Sequence, residues 1–368
     1  MKNQKNGLKN FYLFIGTEAE FVKLLPVILE FEKNKILYKI IATGQNKINK
    51  SDLFKYINKK SPDITISDEP IKQTIFGLLF WFFKTVFPCF KALRQEFKKL
   101  DKNKTFLIVH GDTVSTPMGA ILGKIMGVKV VHVEAGLRSF NWFNPFPEEI
   151  NRVISSHFAD VFFCPNNWAV NNLKGIRGEK INTKQNTLYN SVRLAFSMNK
   201  KLDINIKEKY FIFVMHRQEN IYNKDRVIFL LNQIANLSKK MKCIFVMHEP
   251  TRISLEKMGL LEDLKKNKNI NIIARQPFSS FISLLKDSEL IITDGGSNQE
   301  ESYYLGKPCL ILREHTERIE GLGENVVLSK NDNSTIKNFI KDYTNYKREP
   351  LALSFSPSEI IVNYFKKI

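Results

Sequence analysis

The sequence contains little cysteine. Its four cysteines, Cys89, Cys164, Cys243 and Cys309, are widely separated in a chain of 368 residues and form no CxxC pair and no cluster with histidine. Isolated cysteines within or beside apolar runs are typical of reduced core residues. The sequence therefore predicts neither a disulfide framework nor a metal site.

The sequence also lacks a long apolar run. Before Gly16 the only such run is FYLFI at residues 11–15, which is too short for a signal peptide and is typical of a first strand. The run at residues 75–83 is far shorter than the roughly 20 residues that cross a bilayer. We therefore expect a cytoplasmic protein.

Residues 75–99 nevertheless have the most unusual composition in the chain. The aromatic run is followed by Lys84, more aromatic residues and a basic stretch that begins at Lys91. One interpretation is a core or dimer-interface helix. The other is an interfacial anchor that puts aromatic rings at the lipid boundary and lysines beside anionic headgroups. We expect a homodimer, with peripheral contact to the inner face of a membrane through residues 75–99 as the open alternative.

Acidic residues are scarce relative to basic ones. The chain has 56 Lys and Arg against 37 Asp and Glu, a formal net charge of +19. Such an excess suits an anionic partner such as a nucleotide diphosphate, an acidic membrane surface or nucleic acid. No RNP, zinc-finger or basic-helix motif is present and the lysines are spread along the chain, so nucleic acid is not the expected partner.

The length and the apolar pattern predict two α/β domains. A chain of 368 residues is long for one core. Short apolar runs alternate with stretches of helical periodicity, which is typical of doubly wound parallel sheets. A second alternation begins at residue 210, after a polar stretch at residues 199–209 that we interpret as the interdomain linker. We predict Rossmann-like domains at residues 1–195 and 205–355, and a solvated helix at residues 46–60.

Three carboxylates follow predicted strands or begin a predicted helix. Asp112 follows an apolar run at residues 106–109, Glu134 follows another at residues 128–133, and Glu148 comes directly after a proline. Ligands bind outside the carboxyl ends of parallel strands, so these side chains should meet at one edge of a sheet. Crowded carboxylates have divergent pKa values, which makes separate acid and base roles available. We do not apportion those roles among the three.

A histidine and a glycine pair occupy the equivalent positions in the second half. His216 follows the predicted strand at residues 210–215, where a group that titrates near neutral pH can contact a departing diphosphate. Gly295, Gly296 and Ser297 lie between a strand and a helix, so free backbone N–H groups can bind phosphate there. Glu301, one helical turn further on, is suited to ribose hydroxyls.

These segments together resemble the non-hydrolysing UDP-N-acetylglucosamine 2-epimerase family. Residues 109–152 contain GDTV, HVEAGLR and PEEINR where that family has GDTT, HVEAGLR and PEExNR at the same spacing. The second half contains HRQE, DGGSNQEE and TER where the family has HRRE, DSGGxQEE and TER. Hydrolysing relatives tend to have a glycine pair where this chain has Ala135 and Gly136, which favours the non-hydrolysing branch.

The resemblance implies an isomerase with a GT-B-like fold. In that fold two Rossmann-like domains face each other across a cleft, and a final helix, residues 356–368, packs back on the first domain. The resemblance implies interconversion of UDP-GlcNAc and UDP-ManNAc by elimination and re-addition of UDP, for surface polysaccharide precursor supply, without metal or cofactor. Asp112, Glu134, Glu148 and His216 are the implied catalytic residues. The implied substrate-binding residues are Lys23, Arg138, Arg152, Gln276, Phe281, Gly295, Gly296, Ser297, Glu301 and Arg318.

Two departures from the family pattern support a different enzyme class. The family has GTRPE where this chain has GTEAE, so Glu18 replaces an arginine that faces phosphate, and Ser-Gly-Gly is permuted to Gly295-Gly296-Ser297. Together with the aromatic segment near Trp81, they favour the alternative of a UDP-sugar-dependent glycosyltransferase with a membrane-associated acceptor. A nucleotide-binding relative without turnover is a third hypothesis.

Overall fold

The computed structural model describes residues 9–67, 75–142, 146–197 and 208–368. Contacts divide the described chain into two compact units. The first runs to Ser191 and also contains Phe355–Ile368, and the second comprises Val192–Ser354. The predicted linker lies almost entirely outside the described residues.

The first unit is built on a parallel sheet with seven described strands. In chain order the strands are β1 (Asn10–Ile15), β2 (Tyr38–Ala42), β3 (Ile64–Thr65), β4 (Thr105–His110), β5 (Lys129–Val133), β6 (Val161–Cys164) and β7 (Glu179–Asn182). Their order in the sheet is β3-β2-β1-β4-β5-β6-β7. The order reverses between β1 and β4, and in open α/β sheets ligands bind at the carboxyl ends of the strands at such a switch point.

Helices pack on this sheet and position the loops that follow its strands. They are α1 (Glu18–Lys33), α2 (Ile75–Phe97), α3 (Ser115–Met126), α4 (Glu148–Phe158), α5 (Asn167–Asn172) and α6 (Leu188–Ser197), the last of which extends past the division between the units. The start of α1 is determined by a capping box, in which Thr17 and Glu20 satisfy each other's backbone N–H groups.

The second unit repeats the same topology with six described strands. They are β8 (Tyr210–Val214), β9 (Lys242–Met247), β10 (Ile270–Ala274), β11 (Ile291–Thr293), β12 (Cys309–Ile311) and β13 (Val326–Leu328). Their order is β10-β9-β8-β11-β12-β13, so the switch point lies between β8 and β11. The helices are α7 (Gln218–Ile221), α8 (Lys224–Ser238), α9 (Glu249–Lys257), α10 (Leu261–Lys266), α11 (Phe278–Asp287), α12 (Gly296–Leu305) and α13 (Asn333–Asp342).

The last helix, α14 (Pro357–Lys367), packs on the first unit beside α1. Its Phe365 lies among four aromatic rings, with centroid distances of 4.9 to 6.0 Å to Phe11, Phe31, Phe106 and Phe163. Burying a phenylalanine stabilises a fold by about 1.5–3 kcal/mol. This aromatic cluster therefore anchors the end of the chain to the core of the first unit.

The predicted class, α/β with two Rossmann-like doubly wound sheets, is confirmed, but the helix predicted at residues 46–60 is wrong. Residues 46–60 form two short 3-10 helices, Ile48–Lys50 and Asp52–Tyr56, because the Ser51 hydroxyl accepts from Leu53 N–H and interrupts them. The helix predicted to begin at Glu148 does begin there and ends at Phe158. Strand β7 was not predicted, because its sequence is polar, and it lies at the edge of the sheet.

Residues 75–97 form one helix, α2, with Pro88 inside it. Across the part of the chain that the structure describes, no helix is both long and apolar enough to cross a membrane.

Candidate active site

Glu134 occupies the most constrained position at the edge of the first sheet. It directly follows β5 with a φ of 61°, in the left-handed region that non-glycine residues rarely adopt. The side chain is buried, and its Oε2 lies 2.6 Å from Lys23 Nζ on α1. The Asn186 side-chain amide donates to the same oxygen, and His110 Nε2 lies 3.9 Å away. Packing therefore holds this carboxylate in one orientation.

The loop after β4 lies beside Glu134. A Cβ added at Gly111 would be 3.8 Å from Glu134 Oε1, and Gly111 itself has a φ of 63°. His132 Nε2 forms a 2.7 Å hydrogen bond with Gly111 O. Burial lowers the pKa of His132, so this imidazole is neutral at pH 7 and its role is to position the loop that carries Asp112.

Asp112 is joined to α4 by a charged pair. Arg152 Nε and Nη2 lie 3.0 and 2.5 Å from Asp112 Oδ2, and the Asn151 side chain donates to Asp112 O at 2.8 Å. The Asp112 side chain is 22% exposed. This carboxylate is thus oriented by arginine and still reachable by a ligand.

The two adjacent glutamates at the start of α4 have different environments. Glu149 is buried and accepts from Arg138 Nε at 2.5 Å, Ser139 N at 2.9 Å and Arg152 Nη1 at 3.3 Å. Burial alone would raise the pKa of Glu149, but these donors together lower it. Glu149 therefore holds Arg138 and Arg152, the two predicted substrate-binding arginines of the first unit, whereas Glu148 is only half-buried.

Glu20 was missed as a candidate from the sequence, although the Thr17-x-x-Glu20 capping box was visible there. Its Oε2 accepts from Gly16 N at 2.6 Å and Thr17 N at 2.8 Å, and its Oε1 accepts from the Thr113 hydroxyl at 2.5 Å. It thereby links the turn after β1 to the loop of Asp112 across the switch point. Burial raises the pKa of Glu20 to about 7, although these hydrogen bonds oppose the shift.

Glu20→Gln is expected to remove a pH dependence of stability. With a pKa of about 7 against an ordinary 4.5, the folded chain binds this proton more tightly than the unfolded chain. The stabilisation is complete below pH 4.5 and is lost as the pH rises through 7. It is on the order of 3 kcal/mol, from 1.36 kcal/mol per pKa unit. Urea unfolding followed by tryptophan fluorescence measures it, since Trp81, Trp142 and Trp168 all lie in the first unit.

Glu359→Gln is the matched control, because Glu359 is an exposed carboxylate on α14 of the same unit. If the wild type and Glu20→Gln lose the same unfolding free energy between pH 4.5 and pH 7.5, the raised pKa of Glu20 is refuted.

Glu18, which replaces the family's arginine, lies at the start of α1. The Ser51 hydroxyl donates to its Oε1 at 2.6 Å, and the side chain is half-buried. The carboxylate therefore has a hydrogen-bond partner of its own within the first unit.

In the second unit Asp294 connects the two strands at the switch point. It is fully buried after β11, and its carboxylate accepts from His216 N at 3.0 Å, Arg217 N at 2.9 Å and Asn220 Nδ2 at 3.0 Å. Burial alone would raise the pKa of Asp294, but the nearby His216 and these hydrogen bonds lower it to about 2. The carboxylate is ionised at every physiological pH and fixes the chain after β8.

The same aspartate orients the predicted catalytic histidine. His216 Nδ1 lies 3.1 Å from Asp294 Oδ1, and its ring stacks on His248 with a centroid distance of 4.7 Å and an interplanar angle of 13°. Burial, and after it the proximity of His216, lowers the pKa of His248 to about 4. His248 is therefore neutral at pH 7 and stacks on the ring of His216 as an uncharged imidazole.

The N-terminus of α12 presents backbone donors beside His216. Its N-cap is Gly295, and no side chain caps this described helix end. A Cβ at Gly295 would lie 2.5 Å from Asn298 Oδ1 and 3.3 Å from His216 Cε1, so a side chain at this position would displace that of Asn298. An added Cβ at Gly296 would lie 3.1 Å from Arg318 Nε. An uncapped helix N-terminus next to an arginine suits an anionic group.

The other predicted substrate-binding residues of the second unit lie on α12, on or just before α11, and at Arg318. Arg318 is held by Glu300 at 2.5 Å, and Glu301 accepts from Asn298 Nδ2 at 2.8 Å. Ser297 is half-buried in the first turn of α12, and Phe281 is half-buried on α11, a helix that contacts α12. Gln276 lies just before α11 and donates to Ala274 O at 2.9 Å.

Asp112 and Glu134 lie together in the first unit, and His216, Gly295 and Arg318 lie together in the second. Within the described residues no group of three His, Cys, Asp or Glu side chains is arranged to hold a metal ion. Strand order, carboxylates at strand ends and an uncapped helix N-terminus define a two-domain α/β protein of the nucleotide-binding class.

The chain belongs to the UDP-N-acetylglucosamine 2-epimerase family, whose model matches residues 30–355. It is 35% identical over 348 residues to the UDP-N-acetylglucosamine 2-epimerase of Methanococcus maripaludis, an alignment that covers 89% of this chain and 90% of the relative. The family resemblance predicted from the sequence is thereby confirmed, and with it membership in a family of isomerases.

Solved structures of UDP-GlcNAc 2-epimerases are similar to this chain. The Methanocaldococcus jannaschii UDP-GlcNAc 2-epimerase, crystallised with UDP-GlcNAc and UDP, matches with a TM-score of 0.82 and 28% identity over 98% of this chain and 100% of its own. The Neisseria meningitidis enzyme bound to UDP-GlcNAc matches with a TM-score of 0.82 and 26% identity over 98% and 100% of the two chains. These neighbours confirm the GT-B-like class, and the glycosyltransferase alternative is not favoured.

Proposed function

We propose that this protein is a non-hydrolysing UDP-N-acetylglucosamine 2-epimerase that interconverts UDP-GlcNAc and UDP-ManNAc. The observation that carries the proposal is the constrained position of the Glu134 carboxylate. Glu134 has a left-handed backbone conformation, its side chain is paired with Lys23, and it lies beside the loop of Asp112. Oriented carboxylates at adjacent strand ends are suited to moving a proton at a sugar carbon. The family match over residues 30–355 supports the substrate.

The reaction needs a base, an acid and a stabilised leaving group. A base removes the C2 proton, the C1–O bond breaks with its electron pair going to UDP, and a glycal forms. UDP then adds back at C1 while C2 receives a proton on the opposite face. Asp112, Glu134 and Glu148 are the proposed acid and base groups, because each lies at a strand end or helix start of the first unit.

The second unit supplies the proposed contacts to UDP. The first-turn N–H groups of α12, with Arg318 alongside, suit the charge that develops on the departing diphosphate. His216, oriented by Asp294, suits a hydrogen bond to the same group. Glu301 is the proposed ribose contact, Ser297 is a further proposed nucleotide contact, and Gln276 and Phe281 are the proposed uracil contacts. Lys23, Arg138 and Arg152 are the proposed contacts in the first unit.

Incubation of the purified protein with UDP-GlcNAc in D2O, without an acceptor, tests the proposal. The expected product is UDP-ManNAc with deuterium at C2, and the recovered UDP-GlcNAc should also acquire deuterium, because the reaction is reversible. Mass spectrometry and proton NMR measure both. An inert mixture that releases UDP only after a lipid or saccharide acceptor is added would overturn the epimerase and support the glycosyltransferase.

The expected assembly and physiological role remain predictions. We propose a homodimer that supplies an activated sugar for surface polysaccharide synthesis, with peripheral contact to a membrane. Light scattering coupled to size-exclusion chromatography determines the oligomeric state directly.

A further inference from the structure

Glu20 is a buried carboxylate that the proposed reaction does not use. It lies in the first turn of α1, the helix that follows β1, and is only 3% exposed. Removing a carboxylate from water is unfavourable unless hydrogen bonds compensate for the loss of hydration. The groups that hydrogen-bond to Glu20 therefore indicate its role.

The two oxygens of this carboxylate bind two different segments. Oε2 of Glu20 accepts from the backbone N–H groups of Gly16 and Thr17, in the turn after β1. Oε1 accepts from the hydroxyl of Thr113 at 2.5 Å and from that of Thr116 at 3.4 Å, both on the chain that follows β4. One side chain thus joins the segments that follow the two strands at the switch point.

These two segments are packed directly against each other. A Cβ added at Gly16 would lie 2.6 Å from Ser115 Cβ, which is closer than two such atoms approach. The Gln45 side chain, in the turn after β2, accepts from Ser115 N at 3.1 Å and from the Ser115 hydroxyl at 2.7 Å. The loop that carries Asp112 is therefore supported by the turns after β1 and β2.

We propose that Glu20 is a positioning residue for Asp112, an inference that rests on the acid or base role proposed for that carboxylate. Thr113 is the next residue in the chain, so its hydrogen bond to Glu20 fixes the backbone beside Asp112. Arg152 holds the Asp112 carboxylate itself at 2.5 Å. A misplacement of about 1 Å in a reacting group can cost on the order of 100-fold in rate. Loss of the contact between Glu20 and Thr113 should therefore slow proton transfer.

The strength of this contact depends on the protonation of Glu20. Oε2 accepts from two backbone N–H groups, so a proton on the side chain would lie on Oε1 and would reverse the hydrogen bond with Thr113. A hydrogen bond to an ionised carboxylate is roughly twice as strong as one between neutral groups. Since burial raises the pKa of Glu20 to about 7, the stronger contact forms as the pH rises through that value. Ionisation thus weakens the fold as a whole while it strengthens this one contact.

The charged groups near Glu20 are divided between two carboxylates. Asp112 acts on Glu20 by repulsion, which raises the pKa of Glu20 in the same direction as burial does. Lys23 Nζ on α1 lies 2.6 Å from Glu134 Oε2, and His110 Nε2 lies 3.9 Å from the same oxygen. The turns after β1 and β2 contribute backbone N–H, amide and hydroxyl groups. The groups that directly hydrogen-bond to Glu20 are therefore uncharged.

Deuterium incorporation at C2 of saturating UDP-GlcNAc in D2O, measured from about pH 5.5 to about pH 8.5, tests the proposal. A glutamine must keep its oxygen toward the two backbone N–H groups. Glu20→Gln therefore directs its own N–H at Thr113 and resembles the protonated glutamate at every pH. The ratio of wild-type to Glu20→Gln rates should rise at least about fivefold from the lower to the higher pH. The KM for UDP-GlcNAc should change far less, because the proposed UDP contacts lie in the second unit.

Two substitutions of Thr113 test the other half of the contact. Thr113→Val removes the hydroxyl and should lower the rate at about pH 8.5 at least about tenfold, whereas Thr113→Ser keeps the hydroxyl and should restore it. Glu359→Gln is the matched control, because it removes an exposed carboxylate of the same unit, and its rates should equal those of the wild type. A ratio of wild-type to Glu20→Gln rates that is constant with pH would overturn the proposal, as would equal rates of Thr113→Val and Thr113→Ser.

Hydrogen exchange of the backbone amides of residues 111–116 separates this proposal from the proposed function, because it requires no turnover. At about pH 8.5 these amides should exchange at least about tenfold faster in Thr113→Val than in Thr113→Ser. Equal exchange would overturn the proposal even in an active epimerase. If the wild type leaves UDP-GlcNAc unlabelled, the proposed function fails and with it the role of Asp112, and the exchange rates still decide whether Glu20 holds this loop.

Discussion

Glu134→Gln is expected to lower the rate of epimerisation by about 10²–10⁴-fold, the range that general acid–base groups contribute. The amide has nearly the same shape, so it can accept from Lys23 and Asn186, but it cannot take or return the C2 proton. Deuterium incorporation at C2 in D2O measures proton removal itself, independently of product release. Binding of UDP, measured calorimetrically, should stay within a few-fold of the wild type, because its proposed contacts lie in the second unit.

Removal of the Glu134 charge also leaves Lys23 as a buried cation, which destabilises the fold. Lys23→Met/Glu134→Gln should recover thermal stability, which would identify the uncompensated charge of Lys23 as the cause of the destabilisation. Glu359→Gln, a change of an exposed carboxylate, should leave both unaltered. Deuterium exchange by Glu134→Gln within tenfold of the wild-type rate would remove Glu134 from the acid–base machinery.

Asp294→Asn is expected to lower kcat by about 10²-fold or more, since it disturbs the groups proposed to stabilise the leaving diphosphate. The carboxylate accepts from two backbone N–H groups, from the Asn220 amide and from His216. An asparagine side chain at position 294 would direct its own N–H groups at some of these N–H donors, so hydrogen bonds to them would be lost. The second unit should lose about 3 kcal/mol of unfolding free energy, the scale for a broken buried charged network. Far-UV circular dichroism during urea unfolding measures it.

The pH dependence of this effect has a definite sign. With the pKa of Asp294 lowered to about 2 from an ordinary 3.8, its stabilisation is present above pH 3.8 and is lost as the pH falls through 2. The difference between wild type and variant should therefore shrink only in strong acid. Asp263→Asn is the control, because Asp263 is exposed and forms a surface ion pair with Lys266 at 2.9 Å. Equal unfolding free energies of Asp294→Asn and the wild type at pH 7 would refute the claim that the hydrogen bonds of Asp294 stabilise the second unit.

The local sequence was sufficient to predict the strands that precede the candidate site residues. Apolar runs before Asp112, Glu134 and His216 predicted buried strands, and each of these residues lies at the carboxyl end of one. Residues 46–60 were predicted wrongly because one capping hydroxyl, Ser51, outweighed a weak helical pattern. The candidate chosen from PEEINR was Glu148, and the contacts of its neighbour Glu149 with Arg138 and Arg152 were not predicted, because spacing says nothing about them.

The sequence by itself determined the α/β class, the repeated doubly wound pattern and the family, because apolar periodicity and motif spacing are properties of neighbouring residues. Tertiary structure alone decided which polar groups became partners. Glu20 meets Thr113, Lys23 meets Glu134, and Asp294 meets His216. Each pair joins segments 78 to 111 residues apart. Burial and pKa depend on such contacts between distant segments, which only the packed sheet brings within hydrogen-bonding distance.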